Sequence, residues 1–465
     1  MLTNLRVIVL AAGLGTRMKS KRAKVLHRAG GRTLIDHVVG TALELTTPEQ
    51  VAVVVGHQRE DVEELMAPRR VRFVHQREQK GTGHAVMVCR DALESHTGLL
   101  LVLYGDCPLL SVETLRALIE RQRQSSAAAT VITTTLEDPT GYGRVLLDAG
   151  GSVQAIVEQK AATPEELQVR IINSGIYCFR SDLLWESISS IQPDNPAREY
   201  YLTDIVKIFH ASGHKVNAMH LDDANEVLGI NTRIELAGVD RIFRERKVRQ
   251  LMLDGVTIEK PETVTVDLDA TVGPDTVIEA FARILGSTQI GEDCTVGAHS
   301  IVRDSQIADG VTIHPFSVVE LSTISSGAHI GPYSRLRVGS YVEAGAHIGN
   351  FVELKKTRIG PGSKANHLAY LGDSEIGPGV NIGAGTITCN YDGVHKHPTR
   401  IGAGAFVGSN STLVAPLEIG ANSYIGAGSV ITEKVPEDSL ALGRGRQIVK
   451  ADWVSKRRSE REVER

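Results

Sequence analysis

Between Val266 and Ile431 an aliphatic residue returns at every sixth position. Val266, Val272, Ile278, Ile284, Ile290, Val296 and Val302 are unbroken; after a one-residue slip Ile307, Ile313 and Val319 resume the series. Ile324, Ile330, Leu336, Val342, Ile348 and Leu354 follow, then Ile359, Ala365 and Leu371, then Ile376, Ile382 and Thr388. After an insertion come Ile401, Val407, Leu413, Ile419, Ile425 and Ile431, so that 26 of 28 positions are Val, Ile or Leu. Neither the 3.6-residue helical period nor the simple alternation of a strand produces this pattern. A parallel β-helix of hexapeptide repeats does: each six-residue side turns one aliphatic side chain inward, and three sides close a coil of about 18 residues. About nine coils at ~4.8 Å predict a prism roughly 40 Å long. Glycine commonly follows the inward residue (Gly291, Gly331, Gly349, Gly360, Gly377, Gly402, Gly420) and is expected to supply the corner conformation at little steric cost.

The same segment explains a bias in composition. Of 45 Gly, residues 1–231 hold 17, an ordinary 7%, whereas residues 256–465 hold 26, about 12%. A chain of 465 residues exceeds one ordinary core and predicts two or three domains. Its formal net charge of −4 predicts no nucleic acid and no anionic membrane as partner. Cys89, Cys107, Cys178, Cys294 and Cys389 are odd in number, scattered and without a C-x-x-C pair, which fits a reducing cytosol better than a disulfide framework or zinc cluster. The apolar run Val7 to Ala12 reads as a buried strand rather than a signal peptide, and no apolar stretch approaches the ~20 residues of a membrane span. These features predict a soluble, cytoplasmic protein.

Up to about residue 230, strand-like runs (Leu5 to Leu10, Val51 to Val55, Leu99 to Tyr104, Ala129 to Thr134) alternate with helical spacing (Leu34 to Leu45, Val112 to Arg123). This predicts an open, largely parallel α/β sheet whose ligands bind beyond the C-terminal strand ends. From Thr232 to Leu253, apolar Leu236, Val239, Ile242 and Phe243 mark one amphipathic connecting helix. The predicted organisation is residues 1–231, a helical linker at 232–253, and the β-helix with a charged tail at 254–465.

Chemistry concentrates in two places. Leu10, Ala11, Ala12, Gly13, Leu14, Gly15, Thr16 and Arg17 leave the first strand as a small-residue loop whose N–H groups can approach phosphate, and Arg17 and Lys24 add cations. The loop is not G-x-G-x-x-G, which disfavours a dinucleotide fold. The buried strand Leu99 to Tyr104 ends in Gly105-Asp106, an acid placed where Mg²⁺ and substrate phosphates meet. In the β-helix the informative residues break the repeat. Ala365 and Thr388 depart from the aliphatic rule, and the insertion carries Asn390-Tyr391 and the basic run His395-Lys396-His397. His367 lies two residues past Ala365. Arg335, Arg337, Lys355 and Lys356 lie about one coil or more earlier, so stacking brings cations towards a candidate base.

LAAGLGTRM…KVLH, QREQKGTGHA, LYGDCPL, DPTGYGRV, IVEQK, INSGIY, EYYLTD and GINTR occur in the order of sugar-1-phosphate nucleotidyltransferases. With the hexapeptide half, the chain resembles the bifunctional N-acetylglucosamine-1-phosphate uridyltransferase/glucosamine-1-phosphate N-acetyltransferase family over essentially its whole length. The resemblance implies a Rossmann-like, mostly parallel nucleotidyltransferase domain joined by a helix to a left-handed parallel β-helix. It implies that Leu10, Ala11, Ala12, Gly13, Lys24, Gln76, Gly81 and Thr82 hold the nucleotide, and that Tyr104, Gly105, Asp106, Gly143, Glu158, Asn173 and Asn231 line the sugar and metal side. Asp106 and Asn231 would bind Mg²⁺, with Arg17 and Lys24 offsetting charge in the transition state. His367 would be the general base, with Arg337, Lys355, Tyr370 and Asn381 on glucosamine 1-phosphate. Ala384, Asn390, Tyr391, Ser409, Ala427 and Arg444 would contact acetyl-CoA. UTP and N-acetylglucosamine 1-phosphate complete the implied substrates, and a homotrimer is the implied assembly. One departure is Ala23, where the family usually has Pro. A monofunctional nucleotidyltransferase with a structural or regulatory β-helix is the alternative, as is an assembly protein that merely binds nucleotide.

Overall fold

The computed structural model describes residues 4–93 and 97–463. The chain divides into two compact units, Met1–Arg244 and Glu245–Arg465, with the division inside the helix Arg233–Leu253. Among the described residues no helix is long and apolar enough to cross a membrane.

In the first unit nine strands share one sheet: β1 (Leu5–Leu10), β2 (Val51–Val55), β3 (Arg72–His75), β4 (Leu99–Tyr104), β5 (Ala129–Thr135), β6 (Arg144–Leu147), β7 (Val153–Val157), β8 (Ile171–Arg180) and β9 (Val216–Leu221). Their order is β9-β5-β8-β4-β1-β2-β3, with β6 paired to β8 and β7 paired to β6. The central block β4-β1-β2-β3 is parallel, as is β9 with β5, whereas β8 runs antiparallel to both β4 and β5. Both faces of the central strands are covered. Val7, Val9, Leu101 and Leu103 pack on one side, and Ile8, Leu100 and Val102 meet Tyr177, Phe179 and Phe209 on the other. That two-sided burial is why these strands are continuous aliphatic runs rather than alternating ones. The helix Leu34–Leu43 starts where Thr33 Oγ1 accepts from the Asp36 N–H at 3.3 Å. It ends two residues before the predicted Leu45. Register pairs Leu10 with Tyr104, so the loop after β1 and the turn after β4 emerge side by side.

In the connecting helix, Val239 and Phe243 are buried; the Phe243 ring stacks on His37 with centroids 4.3 Å apart, and Asp240 accepts from the Gly30 N–H at 2.8 Å. Val248 and Leu251 belong to the core of the second unit.

The second unit is a prism of three parallel sheets of eleven, ten and nine strands, which begin at Thr257–Ile258, Thr265–Val266 and Thr271–Val272. Of the 28 periodic positions, all but Val272 are buried, and Val272 packs partly against the same core. Pairing starts earlier than the aliphatic series and runs to Leu440–Ala441, so the stack exceeds the predicted nine coils. Thr388 breaks the series because its hydroxyl accepts from the Gly372 N–H at 2.8 Å.

The glycines after the inward residues serve a different purpose from the one expected. Among the seven, only Gly331 has a positive φ. The others sit where coils approach closely: a Cβ on Gly360 would lie 2.5 Å from the Gly377 carbonyl carbon, and one on Gly402 2.5 Å from the Ala421 nitrogen. They are selected for backbone-to-backbone stacking. The left-handed corner position lies two residues further along, for example Gly345 (φ 64°), Gly379 (φ 66°) and Asn422 (φ 54°). The charged tail forms a helix, Trp453–Val463, in which the Arg457 guanidinium lies over the Trp453 ring.

Candidate active sites

In the first unit four candidate side chains from three distant segments converge. The Lys24 ammonium pairs with the Asp106 carboxylate and donates to Asn231 Oδ1 at 3.2 Å, while Arg17 donates to the same oxygen at 2.8 Å. The loop can fold this tightly because Gly15 adopts φ 60°, and any Cβ there would lie 2.7 Å from Lys24 Cβ. Ala23, in the place of the family's Pro, is buried. Gly105 donates its N–H to the Leu10 carbonyl at 2.9 Å, tying the two strand ends together. Asn231 is held by a device the sequence reading passed over. Glu235 accepts from the backbone N–H groups of Asn231 (2.6 Å) and Thr232 (2.7 Å), and its own N–H donates to Thr232 Oγ1 at 3.3 Å. This is a capping box at the start of the connecting helix, visible in the sequence as Thr232-x-x-Glu235.

Beside it lies the expected nucleotide segment. Gln76 is buried and donates to the Gly81 carbonyl at 3.1 Å. Gly81 has φ 104°, and a Cβ there would meet the Tyr200 carbonyl at 2.6 Å. Thr82 Oγ1 accepts from the Leu202 N–H at 3.1 Å, so the EYYLTD segment is laced onto the Gly-Thr-Gly turn. Gly56, also absent from the expected set, packs so closely on Ala12 and Gln79 that a Cβ would lie 2.6 Å from Gln79 Nε2. A Cβ on Gly13 would meet nothing within 4 Å, which leaves that side of the loop open.

The expected sugar-side residues form a second, mostly buried group. Tyr177 and the Gly175 N–H both donate to Asn173 Oδ1 at 3.0 Å, and the Asn173 N–H donates to the Gly143 carbonyl at 2.9 Å. Thr203 donates to Glu158 at 3.3 Å. Burial, aided by Asp204 and Glu199, pushes the Glu158 carboxyl above the ordinary range, and burial likewise raises the Tyr104 phenol. Gly175 is required by Tyr104, whose ring would lie 2.6 Å from any Cβ there. Burial also raises the Cys107 thiol, which leans on Asp106 Oδ1 at 3.8 Å.

In the second unit the candidate residues lie on one sheet and one corner. His367 ends a strand of the first sheet, exposed, in register with Asn350 of the preceding coil. The next strand carries Tyr370, in register with Glu353, and Gly372, in register with Lys355. Arg337 donates to Glu353 at 2.7 Å. Lys356 is not part of this group: it turns the far corner of that sheet at φ 47°. Asn381 follows Lys364 up the first sheet. Asn390, buried, donates to Asp373, and Gly372 has no room for a Cβ because Tyr370 Oη and Asn390 Nδ2 lie 2.6 and 2.7 Å from it. The insertion folds back through a Tyr391–Lys396 bridge. Asp392 accepts from His395 N–H, Val394 N–H and the His397 ring, which together pull its pKa down to about 2. Its basic run delivers Lys396 to Lys355. Contact with that second amino group, followed by loss of solvent and by Arg337, depresses the Lys355 pKa.

Ala384, Ser409 and Ala427 occupy the same corner in three successive coils. The Asn410 N–H donates to the Ala384 carbonyl at 2.7 Å, the Gly428 N–H to Ser409 at 2.8 Å, and the Arg444 side chain to Ala427 at 2.7 Å. Gly385 N–H donates to Leu368 at 2.9 Å, which places this column directly above the turn after His367.

Comparison with known proteins places these features in context. The MobA-like NTP transferase domain family matches residues 7–165, and the bacterial transferase hexapeptide (six repeats) family matches residues 269–304 and 398–433. Bifunctional protein GlmU of Solibacter usitatus (strain Ellin6076) is 62% identical over 454 residues, 98% of this chain and 97% of that one. Its counterpart in Koribacter versatilis (strain Ellin345) is 51% identical over 98% of this chain and 97% of its own length, and that of Geobacillus thermodenitrificans (strain NG80-2) 44% over 98% of each. A nucleotidyltransferase sheet and a hexapeptide β-helix in one chain, matched end to end at these identities, mean that the chain belongs to the family of bifunctional GlmU proteins.

Proposed function

We propose that the chain acetylates glucosamine 1-phosphate with acetyl-CoA in its β-helix, then transfers UMP from UTP to the resulting N-acetylglucosamine 1-phosphate in its α/β unit, releasing pyrophosphate. The observation that carries the assignment of the first site is the meeting of Arg17, Lys24, Asp106 and Asn231 at the end of the central strands. In uridylyl transfer the sugar phosphate is already an anion, so no protein base is needed. Its oxygen attacks the α-phosphorus of UTP in line and pyrophosphate leaves from the opposite side. Arg17 and Lys24 offset the charge gathering on the transferred phosphoryl group. Gln76 with Gly81-Thr82 holds the base end, and Gly143, Glu158 and Asn173 orient the sugar.

The oxygens of Asp106 and Asn231 suit Mg²⁺. They are a carboxylate and an amide oxygen, both hard donors, and both face cationic groups in the structure. When bound there, the ion would supply positive charge that neutralises the phosphates.

At the second site His367 takes a proton from the attacking amine, which forms the amide bond as the thioester C–S bond breaks and CoA leaves as the thiol. Arg337, Lys355 and Lys396 form the cationic patch for the sugar phosphate, and Tyr370 and Asn381 flank it. Ala384, Ser409 and Ala427 give the coenzyme a column of small residues, with Asn390, Tyr391 and Arg444 beside it. The acetyl site is shared between copies of a homotrimer, and the protein works in the cytoplasm. The test supplies UTP, Mg²⁺, acetyl-CoA and glucosamine 1-phosphate and follows CoA and pyrophosphate separately. Both are expected. Folded protein that releases pyrophosphate from N-acetylglucosamine 1-phosphate and UTP but never CoA would overturn the double assignment.

A further inference from the structure

The loop that carries Arg17 and Lys24 also borders a cavity that uridylyl transfer does not use. Three elements wall it: Lys21, Arg22 and Leu26 from the loop, Arg28 from the short hairpin that follows, and Asp61 and Leu65, one turn apart on the helix Arg59–Met66. Its volume is about 480 Å³, within the roughly 300–1,000 Å³ of small-molecule sites.

The charges on these walls are unbalanced. Arg59 pairs with Glu60, His75 with Glu63 and Arg69 with Asp36, all close by in the chain or on the same helix. Lys21, Arg22 and Arg28, by contrast, have no carboxylate at ion-pair distance among the described residues, although the chain carries more acid than base. Arg28 bonds only backbone, donating to the Gly31 carbonyl at 2.7 Å. Three like charges around one space repel one another, and an anion between them relieves that repulsion. The joint between loop and helix is strained as well. Gln58, directly before the helix, stands at φ 53°, donates its side-chain N–H to the Lys21 carbonyl, and leaves its Oε1 buried without a partner among the described residues. A non-glycine residue in this conformation with a half-satisfied amide persists only where its surroundings demand it.

We propose that this cavity binds a small sugar phosphate or phosphorylated polyol. Arg22 and Arg28 offer planar forks, and Lys21 a point charge, to the phosphate. A site for a bare oxyanion has no use for Asp61, which repels it. A carbon skeleton bearing hydroxyls gives that carboxylate donors to accept, and Leu26 and Leu65 supply apolar surface for its C–H groups. Lys21 and Arg22 lie between Arg17 and Lys24 in one loop, and Arg28 lies beyond it. A phosphate bridging the three ties the loop to the hairpin, and so steadies the stretch that turns Arg17 and Lys24 towards Asn231 and Asp106. Binding at the cavity is independent of the proposed function, and only its effect on turnover rests on that reading.

Calorimetric titration of the full chain with glucose 6-phosphate tests the site. This probe has no phosphate on its anomeric carbon and is a substrate of neither proposed reaction. The unaltered chain should bind it, and Lys21→Gln, Arg22→Gln and Arg28→Gln combined should weaken that binding at least about 10-fold. Asp61→Asn should weaken glucose 6-phosphate but tighten inorganic phosphate. No binding by the unaltered chain, or equal binding by the triple variant, overturns the proposal. Inorganic phosphate bound as tightly as glucose 6-phosphate by the unaltered chain overturns the sugar-phosphate assignment in favour of a bare anion. At saturating N-acetylglucosamine 1-phosphate, glucose 6-phosphate should lower KM for UTP about five-fold in the unaltered chain and leave it unchanged in the triple variant. An unchanged KM in both overturns the coupling to the loop. Absence of pyrophosphate release from both proteins speaks against the proposed function instead, and the titration still decides the cavity. Should the triple variant not fold, tryptic cleavage of the unaltered chain after Lys21 and Arg22 decides. Glucose 6-phosphate should slow it and glucose should not, and equal rates with both overturn the proposal.

Discussion

The two units assemble their chemistry in opposite ways. In the α/β unit Arg17 and Asn231, 214 residues apart, meet on one oxygen, and Lys24 bonds a carboxylate 82 residues away. In the β-helix, Ala384, Ser409 and Ala427 arrive at one column simply because each is the same corner of the next coil. The first site is a closure of distant loops, sensitive to every joint. The second is a repeat decorated at chosen positions, whose scaffold would stand without the decoration.

The largest effects test whether the sites are independent. His367→Ala should lower CoA release by about 10³-fold and spare pyrophosphate release, with Asp106→Ala doing the reverse. Loss of both activities in either folded variant would break the comparison. Next, Gly15→Ala forces a Cβ at φ 60° against Lys24. Steady-state kinetics should show kcat for uridylyl transfer down about 10- to 100-fold, and an unaffected kcat would mean the loop is not the rigid joint described.

The scaffold half predicts a contrast between glycines. Gly360→Ala, aimed at the Gly377 backbone, should cost about 1–3 kcal/mol in urea unfolding of the β-helix. Gly379→Asn, at φ 66° with open space, should stay within about 0.5 kcal/mol. Equal costs would erase the distinction between stacking and corner glycines. Smaller still, Glu235→Ala removes the capping box. It should destabilise the helix start by about 1 kcal/mol and lower uridylyl transfer a few-fold through a less firmly held Asn231.

The smallest effect concerns the insertion. Asp392 has a depressed pKa, so its hold on His395 and Val394 is present above the ordinary carboxylate value near 3.8 and is lost as pH falls through about 2. Amide exchange at His395 should therefore be faster in Asp392→Asn than in the unaltered chain at pH 5. Equal exchange rates would show that the carboxylate does not organise the loop.

Much of this was legible in the residues, for reasons that differ between the units. The inward positions of the prism could be read because burial selects aliphatic side chains and the period exposes them. Asp106 could be singled out only in combination, because an acid one residue past the buried strand Leu99–Tyr104 gains weight from the glycine loop, Arg17 and Lys24 that accompany it. The corner chemistry could not: whether a glycine serves a positive φ or the close approach of the next coil depends on coordinates, and the expectation for Gly360 and Gly402 failed there. Nor could Arg17 be joined to Asn231, since nothing local links residues 214 apart. Lys396 stood in the sequence only as one member of the basic run His395-Lys396-His397, and it takes the fold of the insertion to set it against Lys355. The Thr232–Glu235 box was visible and was overlooked because the connector was read only for its apolar face.

The level stacking of the coils also has a consequence for how the chain is made. As it leaves the ribosome, each completed turn of the prism can settle on the turn beneath, waiting for nothing further downstream. Arg17 emerges early yet has no Asn231 to meet until more than two hundred residues later. Synthesis therefore finishes the long-range half only when its last loop appears, while the other half grows like masonry, course upon course, and the corner proposed for the coenzyme is among the last courses laid.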